Sequence, residues 1–416
     1  MTMNLDRRTL LKVGAAGGAT YLFSSAVGAP RAAAADGADR VYVLVVDGCR
    51  PDEVGALTTP RLAALRDQGT SFPRARSLPV METIPNHVMM MTGVRPDRSG
   101  VPANAVYDRA EATVRNLDRP EDLRFPTVIE QLNAAGWTTG TVLSKEYLFG
   151  IFGTRATHRW EPAPVVPVSG HAPDQFTMDA AIAMVDELDP HLVFVNLGDC
   201  DRVGHSDLTG TTLKAARTAA LLTADQQVGR FVDMLHATGR WERSVVIVLA
   251  DHSMDWSRPE RLVSLAPLLD ADPMLAGQVQ IADNGGADLL YWTGDPAARD
   301  AAVARMRELA APVPGVLSLH DPAELRLGPE AGDLVAYCQA GWRFSDPDVL
   351  SNPIPGNHGH PTTEPIPFFV SGGASVVVPG RTSTEPARTL DVAPTVAAVF
   401  GIPAPSGGWD GTSRLG

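Results

Sequence analysis

Three aspartates stand at or just beyond the ends of apolar runs, where side chains from neighbouring strands can meet. Asp47 follows VYVLVV, Asp251 follows VVIVLA, and Asp201 lies in a turn predicted after LVFVNL. Histidines accompany two of them, since His252 is adjacent to Asp251 and His205 comes four residues after Asp201. Carboxylate and imidazole ligands together suit Zn²⁺ or Mn²⁺ better than Ca²⁺ or Mg²⁺, which prefer all-oxygen shells. The spacing therefore predicts a site for zinc or manganese.

A further stretch, GNHGH, places two histidines in a loop rich in Gly and Pro, which can carry a side chain to a ligand. His358 and His360 compete for one position, and Asp199 competes with Asp201 for another. Only Asp201 has the four-residue spacing to His205. Together these side chains suffice to hold two divalent ions. Two ions about 4 Å apart clamp the attacking and leaving oxygens in phosphoryl transfer.

Thr83, in the stretch METIPNH, has two roles open to it. Threonine is a common N-cap and proline suits the first helical turn, so the stretch predicts the start of a helix. A threonine hydroxyl is also a nucleophile where a metal and a helix N-terminus favour its anionic form. The stretch alone leaves both roles open.

The elements that must position these side chains are buried strands that alternate with helices. Apolar runs without polar alternation are typical of parallel strands covered on both faces. Helical patterns lie between the runs, in TPRLAALRDQG, FPTVIEQLNAAG and TLKAARTAALLTADQQVGRFVDMLHATG. This alternation predicts a mostly parallel α/β sheet in a three-layer α/β/α sandwich. Ligands bind at the carboxyl ends of such strands, so the three aspartates are expected to share one site.

The pattern changes between His252 and His358, where short strands such as VQIADNG, ADLLYWTG and DLVAYCQAGW are joined by proline-rich loops. We predict an inserted cap subdomain at residues 257–355. The metal-binding catalytic core then consists of residues 36–256 and 356–416.

The first 35 residues are predicted to be an export signal. DRRTLLK contains the twin arginines Arg7 and Arg8, a mildly apolar stretch follows, and an Ala-x-Ala cleavage site lies near Ala35. We expect the twin-arginine translocase to be a partner during export, and the mature protein to be secreted, periplasmic or at the cell surface.

Charge and cysteine content exclude other classes. The net charge of −13 gives no footprint for nonspecific nucleic-acid binding, and no later segment has the length and apolarity of a membrane anchor. The cysteines Cys49, Cys200 and Cys338 are too few for a disulfide framework, and we expect buried free thiols.

In order along the chain, the motifs resemble the alkaline phosphatase superfamily, and most closely its type I phosphodiesterase/nucleotide pyrophosphatase branch. The resemblance runs through VVDGCRPD, METIPNH, SGVPANAVYD, DRVGH, ADHSM, NHGH and LDVAPTVAAVFGIP. It implies an alkaline-phosphatase-like fold. It also implies a two-metal hydrolase of small phosphate esters that works through a covalent phosphothreonine at Thr83.

The resemblance also assigns the other site residues. Zinc, with manganese as the alternative, would be held at two positions, one by Asp47, Thr83, Asp251 and His252 and the other by Asp201, His205 and His358. Asn104 would donate to a phosphoryl oxygen, as in an oxyanion hole. The family's His-Gly pattern favours His358 over His360.

The substrate class depends on two positions in VLSKEYLFG. Lys145 falls where monoesterase and phosphonate-hydrolase relatives place a substrate-binding lysine, and a solvated loop lysine is the alternative. Those relatives add a second cation two residues later, where this chain has Tyr147. We therefore expect Lys145 and Tyr147 to bind substrate, and diesters or pyrophosphates to be favoured.

Other functions remain as alternatives. A threonine-dependent alkaline phosphomonoesterase or a phosphonoacetate-hydrolase-like enzyme shares the metal framework, and a metal-binding pseudoenzyme would keep the ligands alone. A sulfatase is excluded, because Glu53 replaces the arginine of the required Cys-x-Pro-x-Arg motif.

Overall fold

The computed structural model describes residues 10–16, 19–25, 38–167, 169–207 and 214–415 of the 416-residue chain. The strands of this part are β1 Leu10–Ala16, β2 Ala19–Ser25, β3 Arg40–Val46, β4 Thr70–Ser71, β5 Ala105–Asp108, β6 Thr113–Asn116, β7 Thr139–Leu143, β8 His158–Trp160, β9 Leu192–Leu197, β10 Ser244–Leu249, β11 Asp255–Trp256, β12 Leu262–Val263, β13 Val279–Asn284, β14 Ala287–Trp292, β15 Val316–His320, β16 Leu334–Cys338, β17 Arg343–Phe344, β18 Gly356–Asn357, β19 Phe368–Ser371 and β20 Arg381–Thr382. Its α-helices are α1 Pro60–Gln68, α2 Thr83–Thr92, α3 Pro96–Ser99, α4 Val128–Ala134, α5 Glu146–Phe152, α6 Asp174–Leu188, α7 Asp199–Ser206, α8 Ala215–Ala237, α9 Ala266–Asp270, α10 Arg299–Ala310 and α11 Val392–Phe400.

A ten-stranded sheet forms the centre, with the strand order β1-β2-β8-β7-β9-β3-β10-β19-β4-β20. Neighbours from β8 to β10 are all parallel, whereas β19 is antiparallel to both β10 and β4. Every residue of β3, β9 and β10 is buried. This burial explains why these strands consist almost entirely of apolar residues.

The register brings the ends of the three central strands to one edge. Leu249 of β10 pairs with Val45 of β3, and Val46 of β3 pairs with Leu197 of β9. The residues that follow these strands therefore emerge side by side, which is the arrangement the sequence predicts for the aspartates.

Helices cover both faces of this sheet. The ring of Tyr42 on β3 packs edge-on against Phe231 of α8, with ring centroids 5.1 Å apart. Phe194 on β9 packs against Phe152 of α5 at 5.6 Å. Successive side chains of a strand point to opposite faces of the sheet. Phe194 is paired with Val43, the neighbour of Tyr42, so the rings of Tyr42 and Phe194 lie on opposite faces. The predicted three-layer α/β/α fold is confirmed.

A second, antiparallel sheet lies within the predicted insert. Its order is β13-β14-β16-β15, and it packs against α9 and α10 around its own apolar cluster. Buried members of that cluster include Leu269, Leu290, Trp292, Met306 and Phe344. A separate sheet with its own cluster supports a division into core and cap, which we keep as a proposal.

Two further sequence predictions concern the cysteines and the export signal. Cys49, Cys200 and Cys338 are buried and free, as expected. Arg7, Arg8 and the cleavage site near Ala35 lie outside the described residues, so the export signal stays a prediction. None of the helices in the described ranges has the length and apolarity needed to span a membrane.

One buried arginine joins the two segments that carry Asp47 and Asp201. Arg217 of α8 donates to the carbonyl of Gly48 at 2.7 Å and to the carbonyl of Cys200 in α7 at 2.9 Å. Its Nη2 and Nε also donate to the Glu53 carboxylate at 2.6 and 2.7 Å. Gly48 follows Asp47 and Cys200 precedes Asp201, so this guanidinium fixes the separation between the loop after β3 and the start of α7.

We predict that Arg217→Ala destabilises the fold by about 3–5 kcal/mol, because it leaves a partly buried carboxylate without its cation. Arg230→Ala is the matched control on the same helix, since Arg230 forms a more exposed ion pair with Asp179. Removing such a surface pair costs about 1 kcal/mol or less. Denaturant unfolding of both variants measures the difference, and equal losses would contradict a special role for Arg217.

Candidate metal centre and active site

The predicted ligands converge at the carboxyl edge of the sheet. Asp47 follows β3, Asp201 lies in α7 after β9, and Asp251 and His252 follow β10; the side chains of all four are at most 1% exposed. Possible ligand atoms of Asp47, Asp201 and His252 lie within 4.8 Å of one another. The same holds for Asp201, His205 and His358. Asp201 belongs to both groups, so the two candidate ion positions are adjacent.

The stretch DRVGH is helical, and the prediction of a turn is wrong. It lies in α7, Asp199–Ser206. Residues four apart share one face of a helix, and Asp201 Oδ1 accordingly lies 3.2 Å from His205 Nε2. The helix therefore explains why the four-residue spacing joins this carboxylate to this imidazole.

Backbone carbonyls orient two of the histidines. His205 Nδ1 lies 2.8 Å from the carbonyl of Gly356, and His252 Nδ1 lies 2.9 Å from the carbonyl of Ser253. A carbonyl can only accept, so each Nδ1 carries the proton and each Nε2 keeps its lone pair. His252 Nε2 points at the carboxylates, 3.3 Å from Asp251 Oδ2. Such outer hydrogen bonds are the usual support of metal-binding histidines.

A carboxylate orients the third histidine. Glu82 Oε1 lies 2.9 Å from His358 Nδ1, while His358 Nε2 lies 3.0 Å from His205 Nε2. Burial lowers the pKa of His358, but the charges of Glu82 and Asp201 outweigh it and raise that pKa to about 9. The residues of METIPNH thus contribute to the centre through Glu82 as well as Thr83, a role the sequence reasoning missed.

The donor atoms of the centre fit divalent cations. Asp47 Oδ1, Asp201 Oδ1 and Asp251 Oδ2 are buried without any hydrogen-bond partner. Burial, followed by the charge of Asp251, raises the pKa of Asp47. Buried carboxylate oxygens left without donors are costly unless a cation completes them. The mixed carboxylate and imidazole set matches the predicted preference for zinc or manganese.

His87 lies beside the centre but has no free nitrogen. Its Nδ1 is 2.8 Å from the backbone carbonyl of Thr83, and its Nε2 is 3.0 Å from Asn196 Nδ2. Asn196 also donates to Asp47 Oδ2 at 2.7 Å. His87 and Asn196 thus position Thr83 and Asp47, although nothing in their local sequence distinguishes them from core residues.

Thr83 is the first residue of α2, with Glu82 as the N-cap. Its Oγ1 is buried, 3.2 Å from His252 Nε2 and 3.4 Å from Lys145 Nζ. The helix start and the chemistry are therefore compatible, because the N-terminus of α2 holds the hydroxyl against the centre. The positive end of the helix dipole favours negative charge there.

Asn104 lies beside Thr83 in the orientation that an anion-binding amide requires. Its Oδ1 accepts a hydrogen bond from the backbone N–H of Ile84 at 2.7 Å. With its oxygen fixed in this way, the amide leaves Nδ2 to donate into the cavity that it lines.

Lys145 lies beneath the cavity, among the carboxylates. Its Nζ is 2.8 Å from Asp47 Oδ2 and 2.8 Å from Asp201 Oδ2. Burial opposes its charge, but Asp201 and Asp47 outweigh burial and raise the pKa of Lys145. A solvated loop lysine is thereby ruled out. Substrate binding by Lys145 stays a prediction, as it does for Tyr147, which lines the cavity.

The competing candidates lie elsewhere. His360 Nε2 is 3.1 Å from Asp255 Oδ2, and Asp199 Oδ1 is 2.9 Å from His171 Nε2. Burial raises the pKa of Cys49 and of Cys200, so these thiols are poor ligands. The geometry thus supports His358 and Asp201 as the choices.

A cavity of about 680 Å³ opens above Thr83 and Asn104. Core residues form one side, including Glu82, Asp201, His205 and His358, and residues from the predicted insert form the other, including Asp283, Asn284 and Asp346. This volume suits a small-molecule ligand.

Comparison with known proteins decides the family. The model of the family described as type I phosphodiesterase / nucleotide pyrophosphatase matches residues 41–361, which include every predicted metal ligand. The chain belongs to this family. The resemblance inferred from the motifs is thereby confirmed.

Relatives of the family share modest sequence identity with the chain. Human ectonucleotide pyrophosphatase/phosphodiesterase family member 5 is 25% identical over 250 residues, covering 56% of this chain and 48% of the relative. The chain spans about half the length of the curated relatives it matches.

Solved structures agree with the fold. Murine ectonucleotide pyrophosphatase/phosphodiesterase 5 has a TM-score of 0.72 at 18% identity, with 88% of this chain and 95% of that chain covered. A second structure of that murine protein is of an inactive variant in complex with AMP. Phosphonoacetate hydrolase from Sinorhizobium meliloti, in complex with phosphonoformate, has a TM-score of 0.66 at 19% identity, with 95% of this chain and all of that chain covered.

We predict that Asp201→Ala and His358→Ala each retain about one of two divalent ions per chain, because the resemblance assigns both side chains to the same position. The other position keeps Asp47, Asp251 and His252 in both variants. Elemental analysis of purified protein measures the loss. Asp199→Asn is the matched control, since that carboxylate faces His171, and it should retain both ions. Full occupancy in Asp201→Ala and His358→Ala would contradict the two-metal assignment.

Proposed function

We propose that the chain is a two-metal phosphoric ester hydrolase of the phosphodiesterase/nucleotide pyrophosphatase type, with Thr83 as the nucleophile. The observation that carries the proposal is the position of Thr83 Oγ1. It lies at the start of α2, within 3.4 Å of both His252 Nε2 and Lys145 Nζ, beside three carboxylates that have orphaned oxygens. Family membership supports the same reaction class.

The proposed chemistry has two displacements at phosphorus. In the first, a bond forms between Thr83 Oγ1 and phosphorus while the bond from phosphorus to the leaving oxygen breaks. In the second, water displaces Thr83 from the phosphothreonine and restores the hydroxyl. Asp47, Asp251 and His252 would hold one divalent ion, and Asp201, His205 and His358 would hold the other. When bound, these ions would supply Lewis acidity for both displacements.

The chain's own residues prepare and stabilise these steps. The ammonium of Lys145 and the N-terminus of α2 both favour the anionic form of Thr83 Oγ1. Asn104 Nδ2 is placed to donate to a non-bridging phosphoryl oxygen, because its Oδ1 is held by Ile84. The buried cluster excludes water from the nucleophile except through the cavity, which strengthens these interactions.

A second candidate is a threonine-dependent phosphomonoesterase or phosphonoacetate-hydrolase-like enzyme. It is favoured by the cation next to the nucleophile, since Lys145 Nζ lies 3.4 Å from Thr83 Oγ1. The structural likeness to phosphonoacetate hydrolase over nearly the whole chain supports the same framework. The AMP held by a murine relative, in contrast, favours nucleotide esters or pyrophosphates as substrates.

We predict that Thr83→Ala lowers kcat/KM on an aryl phosphodiester by at least about a thousandfold, because the covalent route is lost. Thr83→Ser should retain measurable activity, and both variants should retain the fold and most of the metal. Thr92→Ala is the matched control on α2, since the Thr92 hydroxyl bonds to the backbone of Val88 and Val94 at the far end of the helix. If Thr83→Ala turned over substrate at near the wild-type rate, Thr83 would have only a structural role at the start of α2.

We also propose export by the twin-arginine route, which rests on Arg7 and Arg8. Changing both to lysine should leave the precursor in the cytoplasm, because the translocase requires the pair. Cell fractionation with an antibody to the protein measures the distribution. Arg31→Lys is the control with one arginine changed outside the pair, and unaltered secretion of the double variant would point to another route.

A further inference from the structure

Carboxylates outnumber basic side chains in the lining of the large cavity. Arg202 is the single arginine or lysine among the described residues that line it. The carboxylates in the same lining are those of Glu82, Asp118, Glu146, Asp201, Asp283 and Asp346. Apart from the predicted metal ligands His205 and His358, Arg202 is therefore the one basic side chain of the described lining that an entering anion meets.

The guanidinium of Arg202 is held in place by an aromatic ring. Its Cζ lies 5.4 Å from the ring centroid of Tyr147, and its Nη2 donates to the Tyr147 hydroxyl at 3.1 Å. Of the five N–H groups of Arg202, this is the single one with a hydrogen bond among the described residues. The Nε atom is buried with no hydrogen-bond partner. The group is thus positioned in advance and retains donors for a ligand.

Lys145 is not a second cation available to a ligand in the cavity. Its charge is balanced by two carboxylates at 2.8 Å, and its side chain has no exposed surface. The nearest carboxylate to Arg202 is Asp201, whose Oδ2 lies 4.0 Å from Arg202 Nε. Asp201 therefore links the two cations, and places Arg202 at the margin of the centre that contains Thr83.

We propose that Arg202 is a substrate-binding residue that recognises a second negative charge, either on the transferred phosphoryl group or on the group bonded directly to it. This inference rests on the proposed function of the same site. A planar guanidinium with free donors matches the geometry of phosphate oxygens. It also offsets the repulsion that the six carboxylates exert on an additional charge. A diester with two uncharged ester groups gains nothing from Arg202.

The proposal changes what position 147 implies for specificity. Tyr147 stands where some relatives have a second cation, but the site does not lack that charge. The ring and hydroxyl of Tyr147 hold the guanidinium of Arg202 instead. A site with Arg202 in this place favours phosphate monoesters or diphosphate diesters over simple phosphodiesters. These two substrate classes share the second charge and differ in which phosphorus carries it.

Three substrates separate these possibilities: p-nitrophenyl phosphate, methyl p-nitrophenyl phosphate and dimethyl diphosphate. We expect Arg202→Ala to lower kcat/KM at least about tenfold more on a substrate with the second charge than on the methyl diester. Loss on the monoester places the recognised charge on the transferred group, and loss on the diphosphate places it on the neighbour. Arg202→Lys should recover part of the loss, and Tyr147→Phe should show the same pattern more weakly.

Binding of inorganic phosphate supplies a readout apart from turnover. The dissociation constant, measured by calorimetry on metal-loaded protein, should rise about tenfold in Arg202→Ala with metal content unchanged. Arg61→Ala is the control, since Arg61 pairs with Asp233 on the surface and does not line this cavity, and it should alter neither readout.

The outcomes distinguish this inference from the proposed function. Equal losses on all three substrates, or none on any, overturn the role of Arg202 while leaving the hydrolase intact. A wild-type protein inactive on all three overturns the proposed function. Phosphate affinity then decides the inference, and an unchanged dissociation constant in Arg202→Ala overturns it.

Discussion

Charge balance around three buried carboxylates is the constraint on which the site depends. Asp47, Asp201 and Asp251 are almost fully buried at one edge of the sheet, and like charges so close cannot all ionise without cations. Lys145 covers one oxygen of Asp47 and one of Asp201, which leaves the opposite oxygens orphaned. The ammonium of Lys145 therefore balances one of the three negative charges. The remaining deficit of positive charge is what a pair of divalent ions would supply.

The rest of the core holds these like charges at fixed separations. Parallel pairing of β3 with β9 and β10 brings the strand ends level, and Arg217 then ties the loop after β3 to the first turn of α7. The start of α2 delivers Thr83 to the same edge from another direction. A helix N-terminus and an ammonium are the two features that lower the cost of an alkoxide, and Thr83 has both within contact. The fold thus places Thr83 in a setting that suits the role of nucleophile proposed for it.

Short sequence patterns predicted those site residues whose positions depend on a single strand or helix. Apolar runs ending in aspartate became β3, β9 and β10, because a buried parallel strand needs an unbroken apolar stretch and frees its polar residues only at the end. Glu82, Asn196 and Arg202 could not be found in this way, since each acts on a partner brought near by tertiary folding. Arg202 bonds to a residue 55 positions away, and its sequence neighbourhood is that of any solvated arginine.

The cavity is lined on one side by core residues and on the other by residues of the predicted insert. One side carries Thr83, Asn104 and predicted metal ligands, which in the proposed reaction contact the phosphoryl group. The other side carries Asp283 and Asp346, whose carboxylates repel anions. Both oxygens of each carboxylate already accept hydrogen bonds within the protein. Under the proposed function, we therefore expect a substrate whose negative charge extends to the acidic side to bind poorly. A substrate whose negative charges are concentrated near the transferred phosphorus keeps them beside Arg202 and the predicted ions, so the position of the charge matters for selection as well as its amount.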